Sequence, residues 1–317
     1  MWIVVAAAAA VVIAAAVVIV VASGGKTPRV TTPQPRKGAP LLLLDTGLRS
    51  DPASRALRRA AVLYSKGRRA EAGRVFATQH SLNAELGAAF AKWPDGVLAR
   101  VSELVRTHPR SALARLHLGL ALIWTGRNAE GVAALGEAER VEPDSPSAVR
   151  AGDLLHPRVA PGLPNFVPSF GAPAAVAKLP PAQQLSVLAR AARRPDVRAK
   201  LLYGVALQRV ERPVSAEHQF AAAAALAPAN PEAQVAAAVG RFDKDDPSRA
   251  FSRLGPLVRV FPHAQTVRFH LGLLLIWIGD INRARTELRL ARGEGPRTPL
   301  GQQASALLGA LSQAGTR

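Results

Sequence analysis

Residues 115–126 read RLHLGLALIWTG, and residues 268–279 read RFHLGLLLIWIG. Nine of the twelve positions are identical, at a constant offset of 153 residues. An apolar run carrying one histidine, a Leu-Gly pair and a tryptophan, written twice, points to a chain built by repetition. From residue 197 onward a period of 34 is visible: Gly204, Ala238 and Gly272 keep it, as do Ala216, Ala250 and Ala284, and Pro228, Pro262 and Pro296. Small residues at fixed spacing let two helices approach closely, because no side chain props them apart. A glycine between them tolerates the left-handed conformation that ends the first helix, and a proline cannot continue the second. A unit of this kind leaves one apolar face uncovered, so neighbours must stack.

This pattern resembles the tetratricopeptide repeat. The resemblance is carried by Leu271-Gly272, Gly279, Ala284, Ala291 and Pro296 in 265–298, and by Leu118-Gly119, Gly126, Ala138 and Pro143 in 112–145. In 197–230 it is carried by Gly204, Ala216, Phe220, Ala223 and Pro228; Gly131 departs from the family's preference for alanine. What the resemblance implies is an all-α, TPR-like helical-hairpin solenoid, with a groove lined by first helices that binds peptides or helices.

The offset of 153 is four periods of 34 with 17 residues over, so an insertion is expected between the two copies. Residues 157–181 (PRVAPGLPNFVPSFGAPAAVAKLPP) hold seven prolines and break helical periodicity. Helix-like stretches at 146–155 and 182–193 flank them. These fit one interrupted unit, or else the ends of two three-repeat modules joined by a linker. Upstream, 78–111 keeps the phase, and YSKGRRAEAGRVF (64–76) has the turn glycine, Ala72 and Phe76 of another, truncated unit. The organisation expected is therefore repeats over 53–156, the insertion 157–181, repeats over 182–298, and a capping helix and tail over 299–317.

The first segment asks for a different solvent. Ile3 to Ala22 is an unbroken run of Ala, Val and Ile. Twenty helical residues span about 30 Å, the thickness of a hydrocarbon core, and in lipid the backbone must satisfy its own hydrogen bonds. A single transmembrane helix within 1–22 is expected. The alternative is a signal peptide, against which stand the missing basic n-region and the length of the run. Lys26, Arg29, Arg36 and Lys37 follow the span, so the positive-inside rule places the body in the cytoplasm. Residues 23–52 open with a Gly-, Pro- and Thr-rich stretch, expected to be a flexible tether.

Composition narrows the chemistry. The chain of 317 residues has no cysteine, which excludes disulfides, thiolate metal sites and cysteine nucleophiles. Its formal charge of +19 comes from 34 arginines and 7 lysines against 22 acidic residues, a bias that resembles a bacterial protein from a GC-rich genome. Such a chain is drawn to anionic surfaces. The seven histidines show no metal-ligand spacing. LLLLDTG (41–47) resembles the aspartic protease signature, but those enzymes need two facing carboxylates and only one copy exists. No catalytic residue, cofactor or metal is expected.

The candidate site lies on the duplicated first helix. Leu116, Leu120, Ile123 and Trp124 fall on one face, and Phe269, Leu273, Ile276 and Trp277 repeat it. A helix facing water would be polar there. The face is either covered by neighbouring repeats or by the insertion folding back, or it is a groove for a partner's apolar segment. In the second case Trp124→Ala and Trp277→Ala should abolish capture with helical content intact. His117 and His270 stand where clamping repeats of this family present an asparagine. They are expected either to pack between helices or to hydrogen-bond a ligand backbone or carboxylate. The function expected is a membrane-tethered, non-enzymatic scaffold that binds another protein. The alternatives are electrostatic binding of polyanions such as anionic lipid or RNA, and an envelope assembly factor with its repeats outside the membrane. Binding to nucleic acid is disfavoured by the scarcity of aromatics for base stacking.

Overall fold

The structure is a computed structural model that describes residues 36–314. The described residues are helices and their connections, without a strand. They divide into two compact units, 36–155 and 156–314. The helix-like stretches at 146–155 and 182–193 thus fall in different units. The expected transmembrane span, residues 3–22, and the tether as far as residue 35 lie outside the described residues. Among those described, no helix is long and apolar enough to cross a membrane.

The first unit runs α1 (Pro52–Ser65), α2 (Arg69–Phe76), α3 (Leu82–Ala91), α4 (Val97–Thr107), α5 (Ala112–Trp124), α6 (Asn128–Val141) and α7 (Pro146–Leu155). The second runs α8 (Ala174–Ala177), α9 (Pro181–Ala191), α10 (Val197–Arg209), α11 (Pro213–Leu226), α12 (Pro231–Val239), α13 (Ser248–Val260), α14 (Gln265–Trp277), α15 (Ile281–Glu294) and α16 (Pro299–Ala314). Polar residues start many of these helices by accepting a backbone N–H three residues on: Asp51 before α1, Ser81 before α3, Ser111 before α5, Asp196 before α10, Asn230 before α12 and Asp280 before α15. Each such cap is worth roughly 1 kcal/mol. The turn glycines Gly126 and Gly279, equivalent in the two copies, have φ of 86° and 80°, which a side chain would strain.

Within each unit every helix packs on the next. Contacts that skip one helix join α1 to α3, α3 to α5 and α5 to α7, and likewise α10 to α12, α12 to α14 and α14 to α16. Among the described residues no such contact joins α2 to α4 or α11 to α13. The first helices of the hairpins therefore form an inner layer and the second helices an outer one. This is the stacking that the 34-residue period requires. Truncation falls on α2, whose 8 residues make it the shortest of the outer helices in its unit.

The glycines of the Leu-Gly pairs make the hairpins close. A Cβ at Gly119 would meet Leu135 at 2.8 Å and the Gly131 carbonyl oxygen at 3.0 Å; one at Gly272 would meet Leu288 at 2.8 Å. Leu135 and Leu288 are 1% and 0% exposed, so neither has space to move into. Gly272→Ala gains up to about 1 kcal/mol of helix propensity but overpacks a full core at a cost of about 1–3 kcal/mol. We expect a lower urea midpoint with unchanged m-value; a midpoint raised by the substitution would show that the hairpin has slack.

Candidate functional site

Each inner layer holds an extended piece of this same chain. In the first unit it is residues 36–46, the end of the stretch expected to be a tether. Four inner-helix groups hold its backbone. Arg36 N donates to the Trp124 carbonyl at the end of α5 (2.9 Å), and the Tyr64 hydroxyl of α1 donates to the Pro40 carbonyl (2.8 Å). Leu43 N donates to His117 Nε2 of α5 (3.3 Å). Asn83 of α3 takes Asp45 at both backbone groups: Asp45 N donates to Oδ1 (2.9 Å), and Nδ2 donates to the Asp45 carbonyl (2.8 Å). Burial pushes the Tyr64 phenol up to about 12, so it remains a donor. Of four leucines in a row Leu41 is exposed, and the other three are used on two sides, as an extended chain with period 2 demands. Leu42 and Leu44 pack on the core of Leu57, Phe90 and Leu104, whereas Leu43 packs on the core of Leu116 and Leu120, as do Ile123 and Trp124.

In the second unit the occupant is part of the Pro-rich insertion. Phe166 N donates to Gln208 Oε1 of α10 (3.0 Å), Val167 N to His270 Nε2 of α14 (2.9 Å), and Ser169 N to Glu232 Oε1 of α12 (2.8 Å). Phe166 is 1% exposed, with Phe220 edge-on at 5.5 Å and the His270 ring stacked at 5.1 Å. Val167 packs against the core of Phe269, Leu288 and Leu300, as do Leu273 and Ile276. An arginine closes over an aromatic ring in both units, with roles exchanged. Arg36 of the segment lies 4.9 Å from the Trp124 ring, and Arg198 of α10 lies 4.4 Å from the Phe170 ring of the segment.

The two histidines have one chemistry. Both are completely buried, and in each Nδ1 lies against the carbonyl four residues back, Leu113 at 2.8 Å and Thr266 at 2.7 Å. A carbonyl can only accept, so Nδ1 carries the proton and Nε2 offers a lone pair to the segment. Burial lowers both side chains from 6.5 to about 4, against the opposing effect of those carbonyls, so they are neutral at pH 7. Neutral histidine with a fixed tautomer is a backbone N–H acceptor.

The sequence-expected face is therefore built, and it is filled. Leu116, Leu120 and Phe269 are at most 1% exposed; Ile123, Trp124, Leu273, Ile276 and Trp277 are partly buried. Trp277 departs from its counterpart by packing against the core around Val235 and Leu271. Among the described residues, the indole N–H of both Trp124 and Trp277 is buried without an acceptor. Asp45, of the protease-like LLLLDTG, takes Gly47 N at 3.0 Å and so closes the turn that follows the docked segment. Among the described residues no cluster of His, Asp or Glu could hold a metal ion.

Sequence reasoning missed Tyr64, Asn83, Gln208 and Glu232. Asn83 had a signal, since it lies one period of 34 before His117. Asn83→Ala should free both backbone groups of Asp45 at a cost of about 1–3 kcal/mol for buried groups left unpaired. We expect faster amide exchange at Asp45 and little change at Val167 in the other unit. Unaltered exchange at Asp45 would mean that Asn83 does not hold the segment.

No protein-family model matches the chain, and no curated protein matches it. Among solved structures the chain is similar to yeast Tom70, at 12% identity and a TM-score of 0.33 over 87% of this chain and 67% of that one. It is also similar to the APC/C hetero-tetramer Cut9–Hcn1, at 14% identity and a TM-score of 0.28 over 82% of this chain and 56% of that one. The fold is accordingly read from the helix pairing itself: an all-α repeat of antiparallel hairpins.

Proposed function

We propose that this chain is a non-enzymatic protein–protein interaction scaffold of the tetratricopeptide-repeat type, whose inner helix layers bind extended polypeptide segments. One observation carries the reading: His117 and His270, equivalent in the duplication, each present a buried Nε2 acceptor to a backbone amide of an extended apolar segment. Main-chain hydrogen bonds supply affinity for such ligands, and pockets for alternate side chains supply selectivity. The apolar run 3–22 would fix the scaffold to a bacterial membrane as a single-pass anchor, with the repeats in the cytoplasm.

Photo-crosslinking from Ile123 and Ile276 in the membrane-bound full chain tests this. Cross-links from both positions into an extended segment of a second protein are expected. Cross-links confined to 36–46 and 163–171 of the same chain would mean that these faces serve only to fold the scaffold.

A further inference from the structure

The two resident segments share one register. Aligned on the amide that the histidine holds, Leu43 matches Val167, Leu42 matches Phe166, and Pro40 matches Pro164, three residues before it. Both prolines are buried, and the residue after each, Leu41 or Asn165, is exposed. The residue at the aligned position packs against the core built on the duplicated helix, the one holding Leu116 and Leu120 in one unit and the one holding Phe269 in the other. Two residues further on, the amides of Asp45 and Ser169 go to Asn83 and Glu232, each the second residue of the inner helix before the histidine helix. Amides two apart in an extended chain face the same way, so each layer is a two-point backbone reader followed by apolar pockets.

Tandem duplication does not account for this match. The histidines are 153 residues apart, but the segments they hold are only 124 apart, so the segments do not share the offset of the helices that hold them. Two segments outside the repeat phase, sharing little but the proline, dock in one register. The register is thus a property of the receiving layer.

We infer that the two layers are one kind of receptor, for an extended segment of a partner protein with proline at −3, apolar residues at −1 and 0, and free amides at 0 and +2. Residues 40–46 and 164–170 are its resident pseudo-ligands, and a partner enters by displacing them. The inference rests on the scaffold reading above and adds the ligand class.

The test uses the full chain carrying Leu43→Asp, which puts a carboxylate against the Leu116 and Leu120 surface and ejects the resident segment. Fluorescent peptides spanning 36–47 and 163–171 are titrated against it. Both should bind and compete for one site, at least about tenfold more tightly than to the unsubstituted chain. The 36–47 peptide N-methylated at the position of Leu43 should bind about tenfold more weakly, for loss of one buried hydrogen bond. If the N-methylated peptide binds equally well, or the 163–171 peptide does not compete, the shared register is wrong while the scaffold reading stands. If neither peptide binds a folded Leu43→Asp chain, both readings fall. Should that variant not fold, excess 36–47 peptide added to the unsubstituted chain should accelerate amide exchange at Leu43; no acceleration at saturating peptide overturns the proposal.

Discussion

Lowering the pH from 7 to 4 is expected to release both resident segments while the helical hairpins persist. Each segment is held by a neutral imidazole whose Nε2 must accept. Protonation would place a second N–H on Nε2, against the amides of Leu43 and Val167, and would put a charge in a fully buried site. Both histidines are lowered by burial from 6.5 to about 4. Because the buried value lies below that of an imidazole in water, the stabilising contribution is complete above about pH 6.5. It declines as pH falls and is gone once pH has passed through about 4. The shift of roughly two to three units, at about 1.4 kcal/mol each, amounts to about 3 kcal/mol per histidine. The check is amide NMR of Leu43 and Val167 with far-UV circular dichroism across the titration. His117→Gln separates the contributions, since the amide oxygen still accepts but does not titrate. It should hold the first segment to lower pH while the second releases as before. Both segments docked at pH 4, or a His117→Gln variant that titrates like the parent, would exclude the tautomer argument.

That device also marks how far the sequence could be read. The hairpins were legible because close helix packing leaves a periodic trace: Gly119 and Gly272 meet Leu135 and Leu288, and prolines follow every outer helix but α2. The duplicated face was legible as apolar, because whatever covers it must be apolar. Its occupants were not. Segments 36–46 and 163–171 are held largely by backbone groups, and a backbone amide is the same for every residue but proline, so it writes nothing into the sequence. The Gly-, Pro- and Thr-rich composition of 23–40 suggested a tether, yet from Arg36 onward the chain lies on the inner helices. Composition registers that such a stretch cannot form its own core; it does not register that a neighbouring surface can supply one. Asn83 was recoverable from phase, being 34 residues before His117, whereas Glu232 lies 38 before His270, one helical turn further, and escapes the same rule. The run LLLLDTG reads from the sequence as an apolar stretch ending in a turn, because only one copy of the protease-like signature exists. Leu42 and Leu44 pack on one apolar surface and Leu43 on another, and its aspartate closes a turn.

Phe166→Ala should be the most damaging single substitution outside the helices, costing the second unit about 3–5 kcal/mol, the range for truncating a fully buried phenylalanine. The ring is 1% exposed although its segment has no regular structure. It is stacked on His270 at 5.1 Å and edge-on to Phe220 at 5.5 Å, so it ties the inner helix α14 to the outer helix α11. Phe220 in turn fills the space that Gly204 leaves open; a Cβ there would meet its ring at 2.3 Å. Removing Phe166 therefore leaves a cavity beside a ring that cannot move toward Gly204, and collapse is restricted. The same loss lets water reach His270 Nε2, weakening the acceptor for Val167. Phe170→Ala is the control, since that ring is partly buried and rests on the Arg198 guanidinium, a contact worth roughly 1 kcal/mol. Urea unfolding of both variants, with exchange at the Val167 amide, distinguishes the outcomes. A large fall in midpoint for Phe166→Ala, with Val167 deprotected below the transition, means that the insertion is part of the core of its unit. Equal, small effects from the two substitutions would mean that the helices close on one another without it, and that the insertion is only a cover.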